Sequence, residues 1–186
     1  MYVVKSVWFL LGIAPLVGLL DGALSHSLGA NPIERIVRYN GDWALRWLLL
    51  TLAITPMRHL PGCAWMIRLR RMTGLFAFFY ATAHVASYVA LDQYFAWPQI
   101  LTDIVKRPYI TVGLTAWLML LPLVFTSTKG WIKRLGRNWQ RLHWLIYPAS
   151  LLGVFHFFMM IKADWRVPAL HGVVLLLLLG WRLRTA

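Results

Sequence analysis

Charge is scarce in this chain. Of its 186 residues only 13% are Asp, Glu, Lys or Arg, while 60% are hydrophobic and mean hydropathy is +0.62. Soluble domains carry about a quarter charged residues, so a water-soluble fold is excluded. Acids are scarcer still, six against nineteen Lys and Arg, which leaves a formal net charge of +13. That excess does not point to nucleic acid: the cations sit in short clusters between long apolar runs, and no recognition fold can be read around them. Cysteine occurs once, as Cys63 in "HLPGCAW". A single thiol forms no internal disulfide, and it reads as structural in a reducing compartment. Internal repeats, low-complexity tracts and a glycine-rich nucleotide fingerprint are all missing. Residues 1–186 therefore read as a single membrane domain, without a nicotinamide domain of its own.

What is present is length without polarity. Six segments can span a bilayer: Val7–Leu24, Asp42–Met57, Thr73–Leu91, Tyr109–Thr126, His143–Ile161 and Val167–Trp181. Their apolar runs are continuous and lack the alternation of barrel strands, so they are helices. The expected fold is an all-α integral membrane protein, a six-transmembrane-helix bundle. Lys5, the apolar run behind it and the small residues near "GALSHS" also have the outline of a signal peptide, but the stretch is long enough to span. Orientation follows from the basic residues. With both termini on one side, that side holds Lys5, Arg58, Arg68, Arg70, Arg71, Lys129, Lys133, Arg134, Arg137, Arg141, Arg182 and Arg184, and all six acids fall opposite. The positive-inside rule places both termini in the cytoplasm.

The histidines carry the chemistry. His84, in "FYATAHVASY", lies about 16 Å into the third segment, and His156, in "GVFHFFM", about 19 Å into the fifth, at 1.5 Å per residue. Both segments run outward, so the two rings reach a similar depth. Two neutral imidazoles among aromatics suit a six-coordinate haem iron. Zinc or copper would want further ligands, and no Cys, Asp or Glu lies at that depth. Depth alone does not separate haem from a structural pair hydrogen-bonded across helices. His143, in "WQRLHWLIY", precedes His156 by thirteen residues, about 220° of helical rotation, so a straight helix would not put both on one face. Pro148 stands between them and can shift the phase. His171 is the rival ligand, while His26 and His59 read as solvated loop residues.

Some charges lie where a cofactor would use them. Arg46, in "GDWALRWLLL", either snorkels to the interface or pairs with a haem propionate, and the two are compatible. The runs "RLRR" and "KGWIKRLGRNWQRLH" interleave cations with tryptophan. They read as a topology signal attracted to lipid headgroups, or as a seat for a flavin phosphate or a soluble reductase, with Arg70, Arg71, Arg134 and Arg137 as the candidates.

"ITPMR", "RRMTGLFAFFYATAHVASY", "KRPYITVGLTAW", "FTSTKGWIKRLGRNWQRLHWLIY" and the histidine of "FHFF" together resemble the MsrQ (formerly YedZ) family of haem-binding membrane subunits, in the ferric-reductase-like transmembrane group. The resemblance runs from the first segment to the last. It implies a six-helix cytochrome of the bacterial inner membrane with b-type haem and FMN. Such a cytochrome passes electrons from a cytoplasmic flavin reductase or other donor to a periplasmic molybdopterin methionine sulfoxide reductase, which repairs oxidised proteins. The family's haem-associated histidines match His84, His143 and His156. Related membrane domains hold two stacked haems on four histidines; here Arg70 stands fourteen residues before His84, where an inner ligand would lie, so one haem is expected and a second lacks a partner for His143. Two imidazole ligands leave no open position on the iron, which fits transfer rather than oxygen chemistry. The same scaffold would also serve a ferric or cupric reductase. A small transporter is disfavoured by the missing repeat halves and the scarcity of interior acids.

Overall fold

Asn31 starts the most buried helix of the protein. Its side-chain oxygen accepts the Glu34 backbone N–H at 3.3 Å, its amide nitrogen donates to the Glu34 carboxylate at 2.9 Å, and Pro32 follows at the first helical position, where no N–H is needed. In the computed structural model, which describes residues 2–161 and 164–184, every regular element is helical. In chain order these are α1 (Tyr2–Leu24), α2 (Pro32–Met57), a 3₁₀ segment (Ala64–Leu69), α3 (Arg70–Ser87), a π turn (Tyr88–Asp92), α4 (Trp97–Lys106), α5 (Pro108–Phe125), α6 (Lys129–Leu135), α7 (Arg137–His143), α8 (Ile146–Met160) and α9 (Arg166–Arg184).

Among the described residues, five stretches are long and apolar enough to cross a membrane: α1, α3 with its π turn, α5, α7 with α8, and α9. The expected second span lies within α2, which starts ten residues earlier than the apolar run and carries Glu34, Arg35, Arg38 and Asp42 in its first half. Its second half is the centre of the core, with Leu45, Trp47, Leu48, Leu49 and Leu52 all buried. The helices pair closely as α2 with α3 and α5 with α8.

In lipid, apolar surface gains little by leaving its surroundings, so packing and interhelical hydrogen bonds must hold the pairs together. Trp8 on α1 donates its indole N–H to Thr73 on α3 at 3.1 Å, and Tyr80 on α3 donates to the Gly12 carbonyl at 2.7 Å. Trp117 on α5 donates to Thr82 on α3 at 3.1 Å. Cys63 packs beside the buried cluster of Ile54, Met66 and Leu69 at the 3₁₀ segment.

The expected fifth span is two helices. Pro148 has no N–H to give the Trp144 carbonyl, and the Tyr147 N–H takes that oxygen at 3.0 Å instead, tightening the turn across Trp144 and Leu145. His143 therefore ends α7 while His156 sits on α8. Gly136, at φ 52°, separates α6 from α7 in a conformation that only glycine adopts without strain.

Candidate functional site

His84 and His156 meet between the two helix pairs. Their ring centres are 6.1 Å apart and their planes 75° from parallel. Each ring is held the same way. His84 Nδ1 lies 2.8 Å from the Val37 carbonyl of α2, and His156 Nδ1 lies 2.7 Å from the Tyr109 carbonyl of α5. A carbonyl only accepts, so both Nδ1 atoms are the protonated ones, and each Nε2 is left with a free lone pair. Among the described residues no hydrogen bond engages either Nε2.

A glycine completes each half. One turn beyond Val37, a Cβ on Gly41 would stand 3.0 Å from His84 Nδ1; one turn beyond Tyr109, a Cβ on Gly113 would stand 2.8 Å from His156 Nδ1. Each acceptor carbonyl precedes its histidine by 47 residues. The sequence shows no repeat, yet carbonyl, glycine and histidine recur 72 residues on, at 37 and 109, 41 and 113, 84 and 156.

This donor set fits a haem iron. Two metal–imidazole bonds of about 2 Å, with each nitrogen about 1 Å from its ring centre, put two ring centres about 6 Å apart. Nδ1 bonded to a carbonyl with Nε2 free is the ligating tautomer. Among the described residues no group of three His, Cys, Asp or Glu gathers that could hold a metal by protein ligands alone.

The other candidates lie elsewhere. His143 bonds its own helix through the Trp139 carbonyl at 3.0 Å and stacks on the Trp139 ring at 3.9 Å; Trp139 in turn donates to the Thr126 carbonyl at the C-terminal end of α5. No second histidine faces it among the described residues, and the start of α3 near Arg70 is filled by buried Thr73 and its bond to Trp8. His171 bonds its own Val167 carbonyl and lies edge-on to Phe157 at 5.5 Å. It shares an open, largely apolar groove of about 290 Å³ with Arg46, whose guanidinium lies 4.9 Å over the Trp43 ring.

Arg70, Arg71, Arg134 and Arg137 do not converge on one cavity. Arg70 is half-buried beside Tyr147, Trp181 and Arg182, around a void of about 10 Å³. Arg71 and Arg137 are exposed, and Arg134 covers the Trp131 ring at 5.1 Å. Nothing in the apolar pattern pointed to the carbonyls of Val37 and Tyr109 or to Gly41 and Gly113, because a backbone acceptor has no residue signature.

Residues 40–154 match the family described as "Ferric reductase like transmembrane component". The match holds His84 and His143 and ends two residues before His156. Curated relatives are named "Protein-methionine-sulfoxide reductase heme-binding subunit MsrQ". The protein of that name from Xanthomonas campestris is 60% identical over 158 residues, covering 85% of this chain and 72% of the relative. One from Xanthomonas oryzae is 58% identical over the same shares, and one from Rhodospirillum rubrum is 50% identical over 94% of this chain and 85% of its own.

Proposed function

The chain belongs to the MsrQ family of ferric-reductase-like transmembrane proteins, and from that premise we propose that it is a b-type cytochrome carrying electrons across the bacterial inner membrane. The observation that carries the reading is the facing of His84 and His156, each fixed through Nδ1 with Nε2 free. His84 and His156 would hold haem, which when bound would supply one-electron iron chemistry.

The chain's own residues hold and orient. Val37 and Tyr109 fix the tautomer of each imidazole and raise its basicity as a ligand. Gly41 and Gly113 let the neighbouring helix approach each ring without a clash. Packed apolar residues of α2, α3, α5 and α8 keep water from the pair. One haem is the count that the histidines support, since His143 stacks on Trp139 rather than facing a second imidazole.

The bundle crosses six times, with α2 as a span in its second half and both termini cytoplasmic. Reduced FMN or a flavin reductase docks at the cationic inner face offered by Arg71, Arg134 and Arg137, with half-buried Arg70 behind them. The electron acceptor is a periplasmic molybdopterin methionine sulfoxide reductase, and the sulfoxide chemistry is that partner's. Iron content with an oxidised and a dithionite-reduced spectrum tests the centre of this reading. About one iron per chain with a low-spin bis-imidazole spectrum is expected; a purified protein without a haem band would overturn it.

A further inference from the structure

Toward the outer ends of α3 and α5 lies a carboxylate that the histidine pair does not use directly. Asp103, on the ten-residue helix α4, is 2% exposed and is the one acid among the buried described residues. Its Oδ2 accepts the Tyr88 hydroxyl at 3.0 Å; its Oδ1 accepts the Gln99 amide at 3.2 Å and meets the Arg107 guanidinium at 3.1 Å. These partners lead back to both histidines. Tyr88 opens the π turn one helical turn beyond His84, and its backbone N–H bonds the His84 carbonyl itself. Arg107 donates to the Tyr109 hydroxyl at 3.3 Å, and the Tyr109 carbonyl is the one that His156 Nδ1 bonds.

A carboxylate is an expensive way to seat a short helix. An apolar side chain of similar volume would hold α4 as well or better, because the buried carboxylate gives up its water while the half-exposed Arg107 returns only a screened attraction. What the carboxylate adds is direction: its two oxygens face the two histidine-bearing halves separately. The π turn, a backbone form frequent at functional sites, brings Tyr88 into reach of it.

We propose that Asp103 is a positioning residue for the histidine pair, setting the rotation of α3 against α5 through Tyr88 and Arg107 and so the angle between the two imidazole planes. The inference rests on His84 and His156 being haem ligands. Outer-shell groups tune a metal centre by orienting its ligands, and here the orientation passes through Tyr88 on one side and through Arg107 and Tyr109 on the other.

The test compares Asp103→Asn, Asp103→Glu and Tyr88→Phe with the parent, as full-length protein purified with its haem. Electron paramagnetic resonance of the oxidised form is the first readout, since the largest g value of a low-spin bis-imidazole haem follows the angle between the ligand planes; the midpoint potential is the second. Asp103→Asn and Tyr88→Phe should keep the iron-to-protein ratio, displace the largest g value and shift the potential, with Asp103→Glu returning both toward the parent. Full haem with both readouts unchanged in Tyr88→Phe and Asp103→Asn would overturn the proposal. If Asp103→Asn does not hold haem, Tyr88→Phe and Arg107→Gln decide on the same two readouts. A low-spin signal surviving in His84→Ala would instead overturn the ligand reading, whatever the Asp103 variants do.

Discussion

His84 and His156 face each other at 6.1 Å between ring centres, and neither is held by the other. Each is anchored to the backbone of the helix beside it, at Val37 and at Tyr109. Each ring therefore has its own carbonyl brace, and either brace can be disturbed alone.

Removing a ring tests the pair itself. His84→Ala and His156→Ala should each abolish the low-spin haem spectrum or turn it high-spin, while His171→Ala should leave it intact, because His171 bonds only its own helix and meets Phe157. The spectrum of each purified variant decides. Full low-spin haem in His84→Ala together with its loss in His171→Ala would reassign the ligand.

Crowding a ring tests the brace. Gly113→Ala would place a methyl 2.8 Å from His156 Nδ1, closer than real Cβ atoms approach, and Gly41→Ala one 3.0 Å from His84 Nδ1, a tight contact that the ring must yield to. Haem affinity should fall by about 10–100-fold, as it does when the groups orienting a metal ligand are disturbed. The loss should be greater for Gly113→Ala. Haem titration of the apo variants reads it directly.

Interhelical bonds predict a stability cost apart from the cofactor. Tyr80→Phe leaves the Gly12 carbonyl without the 2.7 Å bond that ties α1 to α3. About 1 kcal/mol should be lost, the scale of such bonds between membrane helices. Thermal unfolding in detergent should register it with the haem spectrum of the folded protein unchanged.

At the proposed donor face, Arg71→Glu with Arg134→Glu should slow haem reduction by the donor and weaken its dependence on salt, since exposed charges act chiefly on encounter. Rates measured across ionic strength test this. Equal rates at low salt would leave these arginines with topology alone.

Reporter fusions test orientation. A C-terminal alkaline phosphatase should be silent and a C-terminal fluorescent protein bright if the basic loops are cytoplasmic, as the positive-inside rule requires. The opposite pattern would reverse the direction of electron flow.

The sequence made much of this architecture legible, and the failures have physical causes. α1, α3, α5 and α9 begin and end within a few residues of their apolar runs. α2 does not, because an apolarity reading stops at Asp42 while the Asn31 cap and Pro32 begin the helix ten residues earlier. α4 escaped because ten residues with one buried face are too short and too mixed to read as a span. Pro148 marked the break between His143 and His156 without saying that Trp144 and Leu145 would absorb it. Both ring histidines were visible as polar residues in lipid-compatible segments. Their carbonyl partners were not, since any residue supplies a carbonyl.

The 72-residue recurrence of carbonyl, glycine and histidine has a consequence for how the protein is made. The first set is complete once α3 has left the ribosome, with His84 already tied to its neighbour in the hairpin. The second waits for α8. Until then a half-site holds one oriented imidazole and nothing opposite it. On the proposed ligation, capture of the cofactor would wait for the meeting of two finished hairpins, and a chain truncated before α8 would carry half of the centre.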